Sequence, residues 1–257
     1  MRQSGYAKHP NYRVYWEPSP KRVRVQFNDH TVVDSERAVL LYETKHIPVY
    51  YFPMDDVDDT VLRPSQHTTF CPFKGEANYR DVVVNDKVAE NAMWHYPAPF
   101  SEVAGLDEFV SFYWNRMDAW FEEDEEIFVH PRDPHVRIDI VESRRLVEVR
   151  LGSTLIAASD RTLFLFETGL PTRYYFPYED VRHDVLRATP TQSACPYKGQ
   201  ADYFSAVIND EEHADIAWRY RTPRDEVGRI AGRVAFFTEN VDEVSVAGVP
   251  QSPITTK

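Results

Sequence analysis

Apolar and polar residues alternate along most of this chain with the two-residue period of a half-buried strand. RVRVQF from Arg22 puts Val23, Val25 and Phe27 on one face, stops at Asn28-Asp29, and is followed by HTVVD from His30. Alternating runs around such a turn pair predict a β-hairpin. AVLLYE from Ala38 and IPVYYF from Ile47 are β-branched and aromatic runs of strand length. RDVVVN from Arg80 alternates and ends at Asn85-Asp86, while EFVSFYW from Glu108 and RVAFFT from Arg233 read as further strands. Helical signal is slight. DDVDDTVL from Asp55 predicts a short helix with an acidic start that suits the helix dipole, and KVAENAMW from Lys87 predicts another turn or two. The pattern therefore predicts a mainly β protein of small mixed sheets with short helices, not a doubly wound fold.

The same pattern is written twice. ETKHIPVYYFPMDDVDDTVLRPSQHTTFCPFKGEANY from Glu43 aligns without a gap on ETGLPTRYYFPYEDVRHDVLRATPTQSACPYKGQADY from Glu167. The register extends upstream to the Pro10/Pro134 and Arg13/Arg137 pairs and downstream to Phe112/Phe236, with roughly a third of positions identical. The period far exceeds a solenoid unit of about 20–50 residues, so each copy predicts a self-sufficient domain. The expected division is a first domain over 1–127, with an N-terminal extension, and a second over 128–257. The acidic run EEDEE from Glu122 reads as a solvated linker carrying the chain into the second copy.

Composition narrows the partners. Hydrophobic residues make up 42% and aromatics 14% of the 257 residues, enough to build a core in each copy. A net charge of −12 repels phosphate backbones and anionic membrane surfaces, which predicts neither nucleic-acid nor membrane partners. No window approaches the roughly 20 apolar residues of a membrane helix, and the N-terminus lacks the apolar stretch of a signal peptide. These features predict a soluble cytoplasmic protein of bacterial type. The two cysteines, Cys71 and Cys195, fall at the same position of separate copies and so are expected as reduced thiols.

Duplication also filters for chemistry, because polar residues retained in both copies stand out against the divergence around them. Glu43/Glu167 ends a strand and offers a carboxylate base or ligand contact, or merely a solvated edge acid. Tyr50-Tyr51 and Tyr174-Tyr175 alternate faces, so one tyrosine of each pair, Tyr51 or Tyr175 among them, is a candidate ligand contact while its neighbour packs inside. Arg63/Arg187 suits bidentate binding of a carboxylate or phosphate; the structural alternative is an ion pair to Asp56/Asp180. The densest cluster is Cys71-Pro72-Phe73-Lys74-Gly75 with Tyr79, repeated as Cys195-Pro196-Tyr197-Lys198-Gly199 with Tyr203. It offers a thiol, a cation and a proton donor, with a glycine that signals positive φ or a close approach. Trp94 and Tyr96, repeated as Trp218 and Tyr220, read as core or as a pocket wall. A metal site is not expected: each copy has one cysteine, and His46, His67 and His95 become Leu170, Thr191 and Arg219. No cofactor signature such as GxGxxG or GxxxxGK[ST] occurs, nor do GxSxG or HExxH.

The strings LRPSQHTTFCPFKGEANY and YYFPYEDV, with CPYKGQADY and AWRYRTP, resemble the family known as domain of unknown function 427. The resemblance covers both copies and rests on the CPxKGxAxY core with its downstream WxY. It implies a tandem of compact β-tent-like domains, similar to methionine sulfoxide reductase B and the thalidomide-binding domain of cereblon, which hold small ligands in a pocket on a sheet. Their zinc-binding CxxC pairs are missing here. The family also carries a nucleotidyltransferase label, but Gly152-Ser153 is not followed by the paired aspartates such chemistry needs.

The expected function is binding of a small polar or anionic molecule in a pocket within each domain. In an enzyme, Arg63/Arg187 and Lys74/Lys198 would hold the anion, Glu43/Glu167 would act as base and Tyr79/Tyr203 as proton donor. In a non-catalytic sensor or binding module the aromatics would form the walls, with Cys71 and Cys195 packed beside them. A purely structural tandem would scatter Glu43, Arg63, Lys74 and Tyr79 over different faces.

Overall fold

The computed structural model describes residues 3–251. The chain separates into two compact units, one ending at Asp133 and the other beginning at Pro134. Among the described residues both are mainly β, with only short 3-10 segments between strands.

The first unit contains β1 (Val14–Pro18), β2 (Val23–Phe27), β3 (His30–Ser35), β4 (Val39–Glu43), β5 (Val49–Pro53), β6 (Leu62–Cys71), β7 (Gly75–Val84), β8 (Lys87–His95), β9 (Phe109–Phe112), β10 (Ala119–Glu122) and β11 (Glu125–Ile127). Seven form one sheet in the order β1-β4-β5-β9-β8-β7-β6, and four form another in the order β11-β10-β2-β3. The second unit repeats this plan with β12 (Ile138–Glu142), β13 (Val147–Leu151), β14 (Thr154–Ser159), β15 (Leu163–Glu167), β16 (Arg173–Phe176), β17 (Leu186–Cys195), β18 (Gly199–Ile208), β19 (Glu211–Tyr220), β20 (Val234–Phe236), β21 (Glu243–Val246) and β22 (Val249–Pro250). Its sheets run β12-β15-β16-β20-β19-β18-β17 and β14-β13-β21-β22, the same two orders.

The hairpin around Asn28-Asp29 forms as the alternation predicts, with both turn residues at positive φ. The inward face of β2, Val23, Val25 and Phe27, meets Leu40, Tyr50, Phe52, Val82 and Met93 of the larger sheet in a core between the two sheets. A second cluster lies on the opposite face of the larger sheet and contains Val39, Leu41, Tyr51, Ala77, Tyr79 and Tyr96. The larger sheet is thus apolar on both faces, which explains the nearly continuous apolar runs of β4 and β5.

Several expectations are corrected. The strand pairs are antiparallel, so the sheets are not mixed. KVAENAMW is strand β8, because the turn at Asn85 closes a hairpin in which Val84 faces Lys87 and β7 supplies the backbone partners. DDVDDTVL holds only two single-turn 3-10 segments, Met54–Asp56 and Asp59–Val61. The acidic run is not a linker. Glu122 is buried at the end of β10, pairs with Lys21 and accepts a 2.8 Å hydrogen bond from the Tyr50 hydroxyl, while Glu125 and Glu126 lie in β11. Strand β6, polar and exposed with Pro64 inside it, had no apolar signal to read; it is the sheet edge, where proline is tolerated. No helix among the described residues is long and apolar enough to cross a membrane.

Candidate functional site

Two-residue periodicity delivers the candidate residues to one face. In β4, Glu43 follows Val39 and Leu41 on the side away from the inter-sheet core. Tyr51 emerges from β5 on that side while Tyr50 and Phe52 enter the core. Tyr79 on β7 and Trp94 on β8 are register partners, and Tyr96 lies two residues beyond Trp94. Lys74 sits in the turn between β6 and β7, closed by the Cys71/Gly75 pair. Gly75 makes that turn possible: its φ is +111°, and a Cβ there would lie 3.2 Å from the Ala98 carbonyl oxygen.

These residues bound a cavity of about 440 Å³ lined by Leu41, Glu43, His46, Val49, Tyr51, Lys74, Tyr79, Trp94, Tyr96 and Tyr113, among others. The Lys74 ammonium pairs with Glu43 Oε2; Lys74 is buried and Glu43 largely so. Tyr12, on the segment before β1, donates a 2.6 Å hydrogen bond to Glu43 Oε1 and stacks on Phe73 with centroids 3.5 Å apart. Burial pushes the Glu43 carboxyl up. The hydrogen bonds from Lys74 and Tyr12, with the lysine charge, more than offset this and hold it below the usual glutamate value. Burial, together with the hydrogen bond to Glu43, raises the Tyr12 phenol. Lys74 also lies 5.8 Å from the Tyr96 ring centroid.

The walls are tied to one another. Trp94 Nε1 donates to the Tyr51 hydroxyl at 2.9 Å, and the Tyr79 hydroxyl is 2.8 Å from Thr69 Oγ1 and 3.3 Å from the Tyr113 hydroxyl. Burial raises the Tyr51 and Tyr96 phenols, and lifts that of Tyr113 to about 12, so all three are neutral donors near neutral pH. His67 packs edge-on against Tyr79 at 4.6 Å.

The second copy rebuilds the framework. Lys198 pairs with Glu167 at 2.5 Å, and Trp218 Nε1 donates to the Tyr175 hydroxyl at 3.2 Å. The Tyr203 hydroxyl is 2.8 Å from Ser193 Oγ. Tyr220 is buried beside Tyr175 and Trp218 in the corresponding cluster. Tyr12 has no phenolic counterpart there, its position being Val136.

Arg63 and Arg187 do not join these sites. Arg63 is exposed and donates to the carbonyls of Thr60 and Leu62, both at 2.8 Å; Arg187 does the same to Asp184 and Leu186, at 3.0 and 2.9 Å. Nor do they pair with Asp56 and Asp180, which are taken by Arg37 and Arg161 and by Ser35 and Ser159. Each arginine instead braces the entry to its own edge strand. Cys71 packs against the outer cluster, Cys195 Sγ lies 3.9 Å from Lys198 Nζ, and both are free thiols. Among the described residues, no three His, Cys, Asp or Glu side chains gather in a metal-ligating group.

Tyr12, Val49 and Tyr113 are part of the site without having been singled out in the sequence. Tyr113 had a readable signal, an aromatic retained as Phe237 one position past the aligned stretch. Tyr12 had none, because its partner Glu43 is distant in the chain and only folding brings them together.

Fold and site together define a mainly β, two-sheet domain present twice, with a buried Glu–Lys pair and an aromatic wall on the outer face of its larger sheet. The chain belongs to the family described as domain of unknown function (DUF427), whose model matches residues 15–123 and again 139–247. No protein with curated annotation matches it in sequence.

Proposed function

We propose that this protein is a small-molecule-binding module whose first copy takes a polar ligand into the cavity between Glu43, Lys74 and the aromatic wall. One observation carries the reading: a buried ion pair and the rings of Tyr51, Tyr79, Trp94, Tyr96 and Tyr113 converge on a single cavity of about 440 Å³. That size, with apolar walls and few fixed polar groups, is typical of ligand sites. Binding is favoured over catalysis by the state of the pair. A carboxylate held below its usual pKa is a weak base, and the ammonium beside it is committed to that carboxylate. The anionic class of ligand loses its main support with Arg63 and Arg187 engaged by backbone carbonyls.

The test is thermal-shift screening of the full chain against a metabolite library, with mass spectrometry of any hit after incubation. A ligand is expected to raise the melting temperature unchanged in mass, and the Glu43→Gln/Lys74→Met double variant is expected to lose the shift. Undiminished stabilisation of that variant, or conversion of the ligand, would overturn the reading.

A further inference from the structure

The two copies differ inside the aromatic framework they share. Val49 of the first corresponds to Arg173 of the second, and Asn115 to Glu239. Arg173 opens β16 and forms a bidentate pair with Glu239, each guanidinium nitrogen 2.7 Å from a carboxylate oxygen. Its Cζ lies 5.4 Å from the Trp218 ring centroid and 5.5 Å from that of Phe237. The arginine side chain is only 16% exposed. A cation is therefore seated over two rings within the distance at which ring quadrupoles attract it.

The first copy holds the equivalent rings in nearly the same arrangement. Trp94 and Tyr113 are 4.6 Å apart at 43°, against 4.3 Å and 43° for Trp218 and Phe237. Tyr79 and Tyr113 are 6.3 Å apart at 12°, against 6.3 Å and 17° for Tyr203 and Phe237. Here, however, a valine stands where the arginine does, and Val49, Trp94 and Tyr113 all line the cavity. The surface that Arg173 covers in one copy is open cavity wall in the other. Two cations beside this cavity are held by other groups. Lys74 is matched by Glu43, and Arg116, 5.6 Å from the Tyr113 centroid, donates to the Glu90 carbonyl.

We propose that the first-copy cavity binds a small organic cation of the quaternary-ammonium class, seated on Trp94 and Tyr113 where the second copy seats its own Arg173. This rests on the binding reading above and adds the class of ligand. A quaternary ammonium fits better than a guanidinium because the carboxylate fork of Glu239 is replaced by Asn115. A guanidinium would lose its charged, bidentate acceptor and find one neutral amide oxygen in its place, whereas a quaternary ammonium has no N–H groups to satisfy and is held by ring faces. The net charge of −12 favours the approach of cations. In the second copy Arg173 already occupies these ring faces, so one ligand per chain is expected.

The experiment is calorimetric titration of the full chain with tetramethylammonium chloride, using sodium chloride at matched ionic strength as the blank. Neopentyl alcohol serves as an uncharged analogue of similar shape and methylguanidinium as a cation with N–H groups. One site is expected, with both comparison compounds weaker by about tenfold or more. Val49→Arg/Asn115→Glu transplants the second copy's pair and is expected to abolish binding at an unchanged melting temperature. Arg173→Val/Glu239→Asn is expected to open a second site. The cation assignment falls if tetramethylammonium does not bind, binds no better than either comparison compound, or is indifferent to the transplanted pair. If it falls while a library ligand still stabilises the protein through Glu43 and Lys74, the binding reading stands alone; if that stabilisation is absent too, both fall.

Discussion

Lys74 places its ammonium on the carboxylate of Glu43, joining the turn before β7 to the end of β4 beneath the cavity, and Lys198 does the same with Glu167. Lys74 is buried and Glu43 is only 13% exposed, so neither charge is fully solvated if the other is removed. Lys74→Met alone is therefore expected to cost about 2–3 kcal/mol, below the figure for a fully buried pair because the stranded carboxylate still faces the cavity. The Glu43→Gln/Lys74→Met double variant should lose much less. Urea unfolding of the three proteins measures the difference, and equal losses in the single and double variants would show that the pair is not coupled.

The same pair sets an acid limit. Folding holds Glu43 below its ordinary pKa, so the folded state favours the ionised form. That contribution is complete above the unfolded value of about 4.3 and is lost as pH falls through the lower folded value. The melting temperature is expected to fall below about pH 4, and to fall less steeply in the double variant. Parallel curves for the two proteins would remove Glu43 as a cause.

Tyr12→Phe deletes one of the two hydrogen bonds that keep Glu43 ionised and makes the first copy resemble the second, where Val136 stands at that place. The expected loss is about 1.5 kcal/mol, at the low end for a bond to a charged group because Tyr12 is partly exposed. The acid transition should also move to higher pH, since the carboxylate loses stabilisation. A stability loss with no movement of that transition would mean that Tyr12 acts only through its stacking on Phe73.

Gly75→Ala forces a side chain onto a residue at φ +111° and against the Ala98 carbonyl oxygen. A loss above about 1 kcal/mol is expected. Gly199→Ala should behave alike in the second copy, where φ is +100° and the Thr222 carbonyl oxygen is 3.3 Å from the added carbon. Thermal melts read both, and a neutral effect at either position would show that the turn relaxes.

Much of this arrangement was legible in the sequence. Alternation assigned the hairpin at Asn28-Asp29 and the strands that became β4, β5 and β9, because the side-chain period of a strand is local and needs no partner to be read. Duplication singled out Glu43, Lys74, Tyr51, Tyr79, Trp94 and Tyr96, which the fold gathers into one cavity. The glycine of the CPxKG turn is required at positive φ, as its residue type suggested.

Tertiary structure alone decided the rest. Lys87–His95 is a strand because β7 and β9 flank it and satisfy its backbone, whatever the weak helical pattern of its side chains. Arg63 had the right chemistry for an anion but projects from the edge strand into its own backbone carbonyls. Tyr12 acquires a role only because β1 pairs with β4 and carries the preceding segment over Glu43. Periodicity fixes which face a residue occupies; strand order fixes which distant residues share that face. Strand order here depends on pairings between segments far apart in the chain, and no local pattern encodes them.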